Sequence, residues 1–108
     1  MSYNIEDLVK LNHLFDIYQP LLTDKQKEYF QYYYVEDYSL SEIADIMDVS
    51  RNAVHLQIKK ITAFLEKYEN KLKIFEGQKQ RNMLIDELLN NHQVSKTIKD
   101  KLNDIKKV

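Results

Sequence analysis

Arg51, Asn52, His55, Lys59 and Lys60 place five hydrogen-bonding side chains within the ten residues RNAVHLQIKK. Arginine and lysine carry fixed positive charge suited to phosphate oxygens, and an asparagine amide can pair with a base edge. With Val54 at the centre of a buried helix face, an advance of about 100° per residue puts Asn52, Leu56, Lys59 and Ala63 outermost, flanked by His55 and Lys60. That face gives a mixed message. Leu56 and Ala63 stand where a strong sequence reader would present Arg, Gln or Asn. Glu36, Asp37, Glu42, Asp45 and Asp48 precede it, and each acid opposes contact with a polyanion.

Other chemistries find less material. The chain has no cysteine, which excludes disulfides, thiolate nucleophiles and thiolate metal sites. One glycine cannot build a phosphate-cradling loop, and no Ser or Thr sits in a nucleophile elbow. His13, His55 and His92 are dispersed, with only His13–Asp16 at a helical ligand spacing, so they read as solvated or partly buried imidazoles. Glu42 with Asp45, and Glu66 with Glu69, read as acids on solvated helix faces. Tyr29, Tyr32, Tyr33, Tyr34 and Tyr38 could stack on unpaired bases, but packing in the core with the phenol oxygens reaching water is the better reading. No catalytic residue, metal or cofactor is expected, and the chain is not read as an enzyme.

The elements that must hold the basic face are helices. A single glycine and a single proline among 108 residues, with abundant Lys, Glu, Leu, Ile and Gln, predict an all-α fold. The first helix is expected over about 5–18 with Asn4 as its cap; its apolar residues span more than half the circumference, which calls for cover on two sides. Thr23 and Gln26 have capping-box spacing and open a second helix running through the aromatic residues 29–34, with Phe30 and Tyr33 inward. Ser39 and Glu42 repeat the box ahead of Leu40, Ile43, Ala44 and Met47. Asp48 tolerates the left-handed conformation that ends a helix, and Ser50 can cap the next, so two helices should meet across a tight turn.

From Arg51 the apolar residues Val54, Ile58, Ile61, Leu65, Tyr68, Leu72 and Phe75 follow spacings of 4, 3, 4, 3, 4 and 3, an unbroken heptad seam. No breaker precedes Gly77, so this helix is expected to extend about 26 residues, roughly 39 Å. Its second half needs a partner. Helices near 78–90 and beyond Ser95 are candidates, and so is a second copy meeting it through Ile61, Leu65, Tyr68, Leu72 and Phe75. The expected division is a helix-turn-helix domain over 1–76 and a helical C-terminal extension over 77–108.

Charge is unevenly spread. Residues 1–50 hold three lysines and ten acids, whereas residues 51–108 hold thirteen bases and seven acids, so a net charge of −1 conceals halves of opposite sign. The lysines of the C-terminal half would attract a structured RNA, or serve solubility alone. No apolar run approaches the roughly 20 residues of a membrane span, and the N-terminus lacks a signal-peptide pattern. A cytoplasmic protein without stable membrane insertion is expected.

The runs LFDIYQPLLTDKQKEYF, YYYVEDYSLSEIADIMDVSRNAVHLQIKK and LEKYENKLKIFE resemble the YlxM family of small bacterial proteins over roughly residues 5–76. The central run also resembles region four of housekeeping-type sigma factors, whose helix-turn-helix binds promoter DNA. A sigma-region-four-like, winged-helix-like fold with a long recognition helix is the implied architecture. By resemblance Arg51, Asn52, Ala53 and Val54 match the opening of the family's recognition helix, with Arg51 the natural phosphate contact. His55 stands in place of a usual tyrosine and Leu56 in place of a polar or acidic residue. The resemblance implies a protein encoded beside the signal recognition particle GTPase or its receptor, acting as an accessory or regulator of that targeting pathway. Its expected partners are the particle's GTPase, its RNA, or both, and a homodimer is the expected assembly. The alternatives are a DNA-binding transcriptional regulator and a dimeric protein-interaction module.

Overall fold

The structure is a computed structural model that describes residues 4–108. Local signals set most helix starts. Asn4 Oδ1 accepts the Asp7 N–H at 2.8 Å and opens α1, Ile5–Tyr18. Thr23 and Gln26 satisfy one another's backbone N–H groups at 2.9 and 3.1 Å, opening α2, Asp24–Phe30. Ser39 and Glu42 do the same at 3.0 and 3.1 Å for α3, Leu40–Met47. Ser50 and Ser95 cap α4, Arg51–Leu72, and α6, Lys96–Lys106, while α5 spans Ile74–Leu89. A short 3-10 turn, Gln19–Leu21, places Pro20 where its missing N–H costs nothing. Among the described residues there is no strand.

The chain divides into two units, the first ending at Lys73 and the second beginning at Ile74. That break lies three residues before the one expected, and its cause is local. Lys73 adopts the left-handed conformation, φ 54°, and its N–H closes α4 on the Glu69 carbonyl at 2.8 Å. The expected helix through Phe75 is therefore two helices. Gly77 lies inside α5 instead of at a boundary.

In the first unit, α1, α2 and α3 all pack on α4. Leu14, Tyr18, Phe30, Ile43, Val54, Ile58, Ile61 and Leu65 are fully buried, each contributing about 1.5–3 kcal/mol by leaving water. Phe15 and Phe30 stack with ring centroids 4.2 Å apart. α1 meets α4 and, through Phe15, α2, with Leu11, Leu14, Phe15 and Tyr18 buried; part of its expected apolar span stays uncovered, Ile5 and Val9 being exposed. The aromatic run also departs from expectation. After Phe30 the backbone widens into a π-helical turn, Gln31–Val35, with the Glu36 N–H bonded to the Gln31 carbonyl at 2.9 Å. The wider turn changes which rings face inward: Tyr29 joins Phe30 in the core, Tyr34 lies 4.8 Å from the Phe30 ring, and Tyr33 is half-buried.

The second unit is a helical hairpin. α5 packs on α6 through Ile85 and Leu102, and Lys106 bridges to Asp86 at 2.7 Å.

Candidate nucleic-acid interface

The turn between α3 and α4 positions the basic face. Asp48 takes φ 54° and ψ 50°, Val49 donates to the Ala44 carbonyl at 3.1 Å, and Ser50 Oγ accepts the Ala53 N–H at 3.0 Å. The left-handed residue reverses the chain and the serine restarts it. Val54, Ile58 and Ile61 are thereby laid against the preceding helices, and the opposite side of α4 faces solvent.

Arg51, Asn52, Leu56, Lys59, Lys60 and Ala63 are exposed on that side, and His55 is half-buried beside them. Asn52 and Lys59 are seven residues apart, about 10 Å along the axis, so two points of contact can be spaced along one backbone or groove. Lys60 does not stand clear of the helix: its ammonium lies 5.8 Å from the Phe64 ring centroid. The first turn of α4 carries no acid, so the positive end of its helix dipole and Arg51 reinforce one another toward an anion. Glu36, Asp37, Glu42, Asp45 and Asp48 are exposed too, and they restrict the anion-attracting surface to α4 itself.

The residues expected at an interface between copies do not remain together. Ile61 and Leu65 are fully buried within the first unit, because the tight turn directs the seam onto α1 and α2. Tyr68 is half-buried, 6.0 Å from Tyr18 and 6.3 Å from Phe64. Leu72 is exposed, and Phe75 belongs to α5 in the second unit.

Glu69 overturns the reading of a solvated acid. It is 8% exposed, and Tyr18 donates its hydroxyl proton to Glu69 Oε1 at 2.7 Å, whereas Glu66 is exposed as expected. Nothing in the spacing of the acids signals this; the clue was Tyr18 on the buried face of α1, a phenol that must find an acceptor. Tyr29 is buried, and Tyr32, Tyr33, Tyr34 and Tyr38 are half-buried, so the run is neither a free stacking platform nor wholly core. Among the described residues His13 and His92 are exposed, and no three His, Asp or Glu side chains converge as metal ligands. No helix among them is long and apolar enough to cross a membrane.

Comparison with known proteins places residues 5–105 within UPF0122, described as helix-turn-helix, YlxM / p13 like. The UPF0122 protein YofM of Lactococcus lactis subsp. lactis is 41% identical over 104 residues, 96% of this chain and 94% of that protein. UPF0122 proteins of Shouchella clausii and Bacillus pumilus are 48% and 49% identical over 84 residues, 78% of this chain and 77% and 76% of theirs. The match extends beyond residue 76 into the second unit, further than the resemblance read from the sequence.

Proposed function

The chain belongs to the UPF0122 family of helix-turn-helix proteins, and from that membership we propose that it is a non-catalytic accessory of the signal recognition particle pathway that binds the particle's RNA through α4. The observation carrying this reading is the exposed face holding Arg51, Asn52, Lys59 and Lys60, presented by a turn that buries the opposite side of the same helix. Recruitment is the mechanism. Arg51 and the start of α4 engage phosphate, Lys59 and Lys60 add charge one to two turns further on, and Asn52 and His55 supply directional hydrogen bonds. The GTPase of the particle is the proposed protein partner, in a cytoplasmic setting.

Self-association belongs to the same reading. With Ile61 and Leu65 committed to the core, the proposed homodimer uses the exposed end of the seam at Leu72 in the first unit.

Titrating the purified protein with the particle RNA, with and without the GTPase, tests the proposal. Saturable binding at low salt that weakens as salt rises is expected; absence of saturable binding removes the idea. A single duplex sequence repeatedly selected from a random DNA pool would instead identify a transcriptional regulator.

A further inference from the structure

The first unit holds a cleft to which α4 contributes no lining residue. It measures about 440 Å³ and is lined by Leu8, Tyr33, Tyr34, Tyr38, Asp37 and Glu42, among others. Its walls are aromatic, its two charged side chains are the acids Asp37 and Glu42, and Ser39 completes the lining; Glu42 accepts the Ser39 N–H through Oε1 at 3.1 Å. Tyr33 and Tyr34 meet edge to face with centroids 4.9 Å apart, Tyr34 is braced on Phe30, and Tyr38 stacks on Tyr32 at 5.4 Å. These ring contacts fix the positions of the three tyrosines without a ligand. The π-helical turn and the left-handed Asp37, φ 58°, set the path of this segment.

Aromatic faces with two carboxylates attract a cation that is large, flat and weakly hydrated. The ring quadrupoles favour positive charge over their faces, and a carboxylate can take two parallel N–H donors from one guanidinium. A divalent metal fits less well, since among the described residues no three acids or histidines converge as ligands. Nearby Glu36, Asp45 and Asp48 are exposed and add negative potential, which would repel nucleic acid and draw a basic polypeptide.

We propose that this cleft is a binding site for the guanidinium of an arginine presented by a partner polypeptide, with Asp37 and Glu42 as its anions and Tyr33, Tyr34 and Tyr38 as its aromatic walls. The site is distinct in residues and in charge from the α4 face, so one domain would bind an anionic partner and a cationic one through different surfaces.

Two substitutions remove the charge while keeping the local fold. Asn tolerates the left-handed conformation as Asp37→Asn requires, and Gln serves in a capping box as Glu42→Gln requires. The probe is the capped peptide Gly-Gly-Arg-Gly-Gly, with its citrulline counterpart as an uncharged control, observed through the ring resonances of Tyr33, Tyr34 and Tyr38. Saturable shifts with the arginine peptide, at least about fivefold weaker affinity with citrulline, and a loss of about tenfold in the D37N/E42Q variant with unchanged helicity are expected. Arg51→Ala with Lys59→Ala should leave these shifts intact, which separates this site from the proposed RNA-binding face. The proposal is overturned if the rings do not respond to the peptide, or if the D37N/E42Q variant binds as tightly as the parent. It is overturned equally if the rings shift with protein concentration alone, which would make a second copy the occupant.

Discussion

Asp48 concentrates much of the local specification into one backbone conformation. Its φ of 54° costs an ordinary L-residue about 1–2 kcal/mol, and a β-branched side chain fits there worst. Asp48→Val should therefore destabilise the first unit by about 1–2 kcal/mol, while Asp48→Asn should leave the denaturation midpoint nearly unchanged; urea unfolding followed by circular dichroism measures both. The buried Tyr18–Glu69 hydrogen bond makes a second residue-level prediction. Tyr18→Phe removes the donor from a carboxylate that is almost out of water, and should cost about 1–3 kcal/mol in the same experiment. The turn could be read in advance because Asp48 and Ser50 are residue types with known local preferences. The buried pair could not, because it joins positions 51 apart in sequence and depends on how α1 lies against α4.

Helix starts are marked in the sequence by Asn4, Thr23, Ser39, Ser50 and Ser95, all observed as caps, whereas two features carry no such signal. The end of α4 falls on a lysine, a residue with no preference for the left-handed conformation, so the heptad spacing ran on across a break that the side chains do not mark. The π-helical turn was equally silent, because Gln31–Val35 has nothing that distinguishes i→i+5 from i→i+4 bonding, yet it changes which tyrosines face inward. Gly77 supplied a false boundary. It sits within α5, where an added Cβ would meet nothing within 4 Å, so Gly77→Ala should stabilise the second unit by about 0.5–1 kcal/mol, measured as a rise in its thermal midpoint. On α4, Ile58→Ala should cost about 2–5 kcal/mol, since Ile58 is fully buried where α4 meets the other helices of its unit.

For the molecule as a whole, composition points to architecture more than to role: one glycine and one proline favour helices throughout, and the absence of cysteine excludes thiolate and disulfide chemistry. Net charge conceals halves of opposite sign; within α4 itself five bases stand against two acids, which favours an anion there while the acidic segment before it opposes one. The proposed dimer can be checked by sedimentation velocity, where Leu72→Glu should shift the parent's dimer toward monomer, and a parent that is monomeric across concentration would remove that part of the proposal. The proposed binding face faces its sharpest check in the salt dependence of affinity for the particle RNA, measured for the parent and for the Arg51→Ala, Lys59→Ala variant. Each lost phosphate contact should make the fall of log affinity with log salt shallower by about one, so the variant should bind more weakly with a slope shallower by about two. Equal affinity and equal slope for the two proteins would contradict a role for the α4 face in holding RNA.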